Sequence, residues 1–238
     1  MKTVLHRADT RGYVDHGWLK SFHTFSFGSY FNAERIQFGT LRVLNDDYVA
    51  GGQGFGMHPH NDMEIISIPL EGTLVHQDSM GNRGTIRPNE IQVMSAGTGV
   101  HHSEFNGSAD HAVRFLQIWV LPDEQQVKPR YDQITLDPED RKNKFQQVVS
   151  PNPDDEGTWI HQQAWFHLAD LEEGITVDYT LKDSTNGIYV FVLEGSVGIA
   201  REVLERRDAI GITGITAASF QAETATSLLV IEVPMEKY

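Results

Sequence analysis

Short β-branched and aromatic runs, separated by glycine-rich turns, dominate this chain, and apolar residues at helical spacing are scarce. Leu41–Leu44, Met63–Ile68, Thr73–His76, Ile91–Met94 and Arg114–Leu121 read as strands in the first half. Thr176–Leu181, Ile188–Leu193, Val197–Ala200 and Ser227–Val233 read as strands in the second. Asn45-Asp46, Gly51-Gly52, Met80-Gly81-Asn82, Pro88-Asn89 and Gly97-Thr98-Gly99 punctuate the first set as turns. Many short strands joined in this way predict an all-β sandwich or barrel. The segment from Leu121 to Asp155 breaks the pattern with Pro122, Pro129, Pro138, Pro151 and Pro153, so it reads as the connection between two β domains. Within it, Asp137-Pro138-Glu139-Asp140 supplies an N-cap, a proline in the first turn and acidic neighbours, which predicts one short helix.

A faint internal repeat supports duplication. Leu70-Glu71-Gly72-Thr73-Leu74 is echoed by Leu193-Glu194-Gly195-Ser196-Val197, and each lies between two hydrophobic runs. At 238 residues the chain is long enough for two such domains. The expected division is residues 1–133 and 134–238.

The formal charge of −14 repels phosphate backbones, which argues against direct nucleic-acid binding. Zero cysteines exclude a disulfide framework, a thiolate metal site and a cysteine nucleophile. The polar N-terminal stretch Met1–Asp15 has no apolar signal-peptide core, and no apolar run is long enough to span a membrane. A cytoplasmic monomer is the expectation.

Histidine carries the candidate chemistry. His58-Pro59-His60 and His102-Ser103-Glu104 are both i, i+2 pairs, and residues two apart on a strand share a face. Two neighbouring strands of this kind would offer three imidazoles and one carboxylate to one cavity, with His101 facing away. Such donors suit a first-row divalent metal. A single His-x-His is more often a surface or satisfied core pair, but the second pair and the surrounding glycines strengthen the metal reading. Those glycines are Gly51, Gly52, Gly54 and Gly56 before the first pair, then Gly97 and Gly99 before the second.

The run Gly52-x5-His58-Pro59-His60-x3-Glu64, followed by Gly72, resembles the first cupin motif, and Gly97, His102 and Asn106 resemble the second. More narrowly, His58-Pro59-His60-Asn61-Asp62-Met63-Glu64, His76-x-Asp78-Ser79 and Met94-Ser95-Ala96-Gly97-Thr98-Gly99-Val100-His101-His102-Ser103-Glu104 resemble the pirin family. So do His23-Thr24-Phe25-Ser26-Phe27, Leu41-Arg42-Val43-Leu44-Asn45-Asp46-Asp47 and Gln117-Ile118-Trp119-Val120-Leu121-Pro122. These specific motifs end near Tyr131. The closest likeness is to bacterial pirin-like proteins described as quercetin 2,3-dioxygenases.

The resemblance implies a bicupin, two jelly-roll barrels facing each other with few short helices. It implies one divalent transition metal in the first barrel, iron foremost, with manganese, nickel, copper, cobalt or zinc as the others. By position its ligands are His58, His60, His102 and Glu104. Glu64 occupies a position that ligates metal in many other cupins but not usually in pirins, and is kept as a pocket candidate. The second half has no histidine from Thr176 to Tyr238, so a degenerate, metal-free cupin is expected there.

The implied reaction is dioxygenation of a flavonol such as quercetin. The metal acidifies a hydroxyl, Glu104 takes its proton, and dioxygen opens the heterocycle with loss of carbon monoxide. Two other readings stand beside it: a metal- or redox-responsive regulator acting through protein partners, and a structural four-coordinate zinc.

Weaker signals have blander readings. Gly52-Gln53-Gly54-Phe55-Gly56 precedes a strand, which removes a dinucleotide-binding reading. His76 is expected as a hydrogen-bonded residue near a turn. His23, Phe25 and Phe27 share a face suited to core packing or a pocket wall. Arg201, Glu202, Glu205, Arg206 and Arg207 read as a solvated loop.

Overall fold

A computed structural model describes residues 1–235. It is built almost wholly from antiparallel strands arranged as two barrels, each made of a seven-stranded and a four-stranded sheet. The first barrel's larger sheet centres on Leu41–Val49, Glu64–Glu71 and Val113–Val120, and its smaller sheet contains Gly54–His60, Val100–Asn106, Leu74–Asp78 and Arg83–Ile86. The second barrel repeats the plan around Trp165–Leu171, Gly187–Glu194 and Thr226–Val233. The chain is thus all-β, as the glycine-punctuated strands predict, and a bicupin, as the motif resemblance implies.

The helical content among the described residues is two 3-10 turns, Ala8–Thr10 and Pro138–Arg141. At the second, the Asp137 carboxylate accepts the Glu139 N–H at 3.0 Å, the cap expected from Asp-Pro-Glu-Asp. The division expected at residues 133 and 134 falls inside the strand Arg130–Thr135, which pairs with Glu90–Ser95 of the first barrel. The first strand, Lys2–His6, pairs with Ala209–Thr213 and so completes the second barrel's larger sheet. One end of the chain therefore ties the two units together.

Strand parity sorts the side chains. On Val113–Val120, Leu116, Ile118 and Val120 face the second barrel, while Val113, Phe115, Gln117 and Trp119 belong to the first barrel's interior. The largest apolar core consequently lies between the two seven-stranded sheets. There Leu44, Ile66 and Leu116 join Phe166, Phe191 and Leu229 from across the interface. The second barrel's interior is mainly apolar, filled by residues such as Val190, Val192, Phe220 and Val230, with the buried Glu232 held by Tyr179 and Asn186. The first barrel's interior is different. Besides its apolar residues it buries Asn45, Asp47, Ser67, His76, Asp78, Gln92, His102 and Glu104. Buried polar groups at this density need partners or a ligand, so the chemistry belongs in this barrel.

Candidate metal centre

The strands Gly54–His60 and Val100–Asn106 lie side by side, with His58 directly opposite His102 and His60 opposite Val100. Val100, His102, Glu104 and Asn106 are buried, while His101 and Phe105 face solvent, as period-two alternation requires. The pairing register shifts between His102 and Glu104, because Gly56 and Met57 form a bulge opposite Ser103. The bulge turns the Gly56 carbonyl towards His58, whose Nδ1–H donates to it at 2.7 Å. A carbonyl only accepts, so Nδ1 carries the proton and Nε2 presents a lone pair. Gly54 permits the close approach here: a Cβ on it would sit 2.4 Å from the Glu104 carbonyl oxygen.

Three imidazoles converge. The His58 and His102 ring centroids are 4.4 Å apart, and His60 lies 4.9 Å from each. Ligand atoms of His58, His60 and His102 all fall within 4.8 Å of one another. His76, His102 and Glu104 form a second group by the same measure, so His102 is common to both. Glu104 therefore meets the histidine cluster through His102, on its buried side.

The electrostatics prepare these groups as neutral donors. Burial, then the neighbouring imidazoles His58, His60 and His76, push His102 down to about 2. Burial and then His58 push His60 down to about 4. Both ring nitrogens of His102 are buried and have no hydrogen-bond partner. A buried imidazole with two unpaired nitrogens is costly unless something binds it, and a lone pair aimed at two other imidazoles fits a metal ion. The donor set therefore fits a divalent transition metal.

Glu104 sits in a cradle that sequence reasoning missed. The Ser67 hydroxyl donates to its Oε1 at 3.0 Å and Gln117 Nε2 donates to its Oε2 at 2.6 Å. Burial pushes the carboxyl up to about 7 against these two hydrogen bonds. The available signal was polarity at inward parity, a serine and a glutamine on otherwise apolar strands. Trp119 lies beside the cluster. Its ring meets His60 edge-to-face at 4.9 Å and Phe27 at 5.2 Å, closing one side of the cluster.

His76 is fully buried, stacks on Tyr131 at 4.7 Å, and its Nε2 lies 3.0 Å from Asp78 Oδ2. Burial opposes charge on Asp78, but hydrogen bonds from His76 and Asn82 outweigh it and hold the carboxyl below its usual range. His76 is thus hydrogen-bonded beside a turn, and its other nitrogen, Nδ1, is left unpaired in the second donor group.

Glu64 lies outside both donor groups. It begins a new strand after a turn in which Asp62 takes φ 45°, so parity counted from His58 and His60 does not carry through. It shares parity with Ile66 and Ile68 of the inter-barrel core. Its partners are the Ser95 hydroxyl at 2.7 Å and the His161 backbone N–H. His23 and Phe27 line a cavity of about 130 Å³ with Asn45, Asp47 and Phe55, while Phe25 joins the inter-barrel core. The shared face expected for these three aromatic positions is therefore split.

Comparison with known proteins covers most of the chain. The family model described as Pirin matches residues 5–120, and that described as the quercetinase C-terminal cupin domain matches residues 147–233. A quercetin 2,3-dioxygenase of Escherichia coli strain K12 is 39% identical over 97% of this chain and 98% of its own length. A pirin-like protein of Caulobacter vibrioides is 36% identical over 94% of this chain and 96% of its own. The crystal structure of the Escherichia coli pirin YhhW in complex with nickel(II) superposes with a TM-score of 0.93 at 36% identity, covering 99% of this chain and 100% of that one.

Proposed function

The chain belongs to the pirin family, and on that premise we propose that it is a metal-dependent dioxygenase that opens the heterocycle of flavonols such as quercetin. His58, His60, His102 and Glu104 would hold one divalent transition metal, with iron the first candidate. The observation that carries this reading is His102, a buried neutral imidazole with two unpaired nitrogens between two other imidazoles and a carboxylate. The relatives named quercetin 2,3-dioxygenase supply the substrate class. When bound, the ion supplies positive charge and open coordination positions at which substrate and dioxygen meet.

The protein's own part is positioning and proton transfer. The Gly56 carbonyl fixes the His58 tautomer, so its Nε2 is available without reorganisation. Trp119 packs an apolar edge against His60 and excludes water from that side. Glu104 accepts the flavonol hydroxyl proton. Its Oε2 stays capped by Gln117, while the Ser67 hydroxyl has a second acceptor, Gln117 Oε1 at 3.2 Å. Rotation of that hydroxyl releases Oε1 to take the proton, and the new O–H then donates back to Ser67 Oγ.

The test is flavonol bleaching by metal-loaded protein, in air and under anaerobic conditions, beside metal-free protein. The proposal expects bleaching and stoichiometric carbon monoxide only with both metal and dioxygen. Bleaching without dioxygen, or none with loaded protein in air, contradicts it.

A further inference from the structure

We propose a second ligand site, separate from the histidine cluster, for a small phosphorylated anion carrying an aromatic ring. It lies where the two barrels diverge, in a cavity of about 450 Å³ walled by Arg11, Lys20, Arg114, Arg206 and Arg207, with Asp46 as its one carboxylate. This volume is within the range of small-molecule sites. A protein with formal charge −14 has gathered five of its 19 basic residues around one opening.

Strand register explains the gathering. Tyr48 is opposite both Lys20 and Arg114, and Phe22 is opposite both Asp46 and Tyr13. These positions share parity with Leu44 and Leu116, which face the second barrel. At this end of the sheet the same face carries cations and rings in place of aliphatics. The turn before Ala209–Thr213 closes the cavity with Arg206 and Arg207.

The floor holds more positive than negative charge. Asp46 accepts from Arg207 Nε at 2.9 Å and lies 3.4 Å from Arg11 Nη1, so two guanidiniums share one carboxylate. The side chains of Arg11 and Arg207 are only 5% and 7% exposed. Arg207 also donates to the Leu193 carbonyl oxygen and holds a left-handed backbone at φ 68°, which costs free energy in a non-glycine residue. It is buried, not part of the solvated loop read from the sequence. Glu194 pairs with Arg206 at 2.7 Å and reaches Arg207 at 3.8 Å, and Glu71 pairs with Arg114 at 3.4 Å, but both acids are mostly exposed and weakly held. Two buried guanidiniums on one carboxylate leave a local excess of positive charge, which favours a bound anion.

The rings set the other half of the ligand. Tyr13 and Phe22 pack 4.8 Å apart, and Tyr13 is 51% exposed, leaving an open aromatic shelf. Arg11 lies over the far ring, 5.0 Å from the Phe22 centroid. The cavity places phosphate against Arg206, Arg207 and Lys20, with a planar ring on Tyr13. The acidic remainder of the surface restricts the ligand to a small molecule, because an extended polyanion meets repulsion beyond the cavity.

The test is calorimetric titration of metal-loaded protein with ADP, pyrophosphate, adenosine and an oligothymidylate, followed by Lys20→Glu and Arg206→Glu. ADP should bind with one-to-one saturation, at least about tenfold tighter than pyrophosphate or adenosine, and each substitution should weaken it at least about tenfold. Metal content and melting temperature should stay unchanged in both variants. The proposal is overturned by no ADP saturation up to ~5 mM, by binding indifferent to both substitutions, by pyrophosphate matching ADP, or by the oligonucleotide binding more tightly.

Discussion

Gly56 accepts the Nδ1 hydrogen of His58 at 2.7 Å from within the bulge that shifts the pairing register between His102 and Glu104. One backbone irregularity thus orients a donor and sets the register of its partner strand. The contact uses the Gly56 backbone alone, and a Cβ on Gly56 would meet nothing within 4 Å. Gly56→Ala should therefore leave metal affinity within about twofold. His58→Ala should lower it by at least roughly 10–100-fold, the range for losing even a supporting group. Competition with a chromophoric chelator reads both.

Ser67 and Gln117 hold the Glu104 carboxylate at its two oxygens. Ser67→Ala removes the Oγ that accepts the new Glu104 O–H once Oε1 has taken the proton. It should lower flavonol kcat by roughly 10–100-fold, less than the roughly 10²–10⁴-fold that a general base as a whole contributes. Metal content should not change, because Ser67 is in neither donor group. Parallel elemental analysis and steady-state kinetics separate the two effects.

Glu64 gives a pH prediction. Burial raises its carboxyl from 4.5 to about 7, against hydrogen bonds from Ser95 and the His161 backbone. Between these values the folded state holds a proton that the unfolded chain has lost. Stability from this group is intact below pH 4.5 and is lost as pH rises through 7. Glu64→Gln should match the parent near pH 4.5 and exceed it at pH 8 by on the order of 2–3 kcal/mol. Denaturant melts at the two pH values provide the comparison.

The inter-barrel core makes a prediction about cooperativity. Leu116 is fully buried between the two seven-stranded sheets, away from the histidines. Leu116→Ala should cost about 2–5 kcal/mol. Both barrels should still melt in one calorimetric transition, because the core they share exceeds what the first barrel holds inside. Two resolved transitions would contradict this packing.

Much of this architecture is legible from residue order. His58-Pro59-His60 and His102-Ser103-Glu104 announce their shared face because strand periodicity is local. Asp137-Pro138-Glu139-Asp140 announces its turn because capping is local too. What stayed hidden depends on pairing across the fold. Glu64 turned towards the second barrel because the turn at Asp62 reset its parity. His76 came beside His102 only through the pairing of Leu74–Asp78 with Val100–Asn106. Arg207 read as surface charge, yet it is buried against Asp46, 161 positions earlier in the chain.

Anomalous diffraction from crystals of the metal-reconstituted protein, collected at the metal's absorption edge, tests the central claim most directly. The account expects one peak per chain, within roughly 2.0–2.2 Å of His58, His60 and His102 ring nitrogens and a Glu104 oxygen. A peak held instead by His76, or one remote from the His58–His102 strand pair, would contradict it.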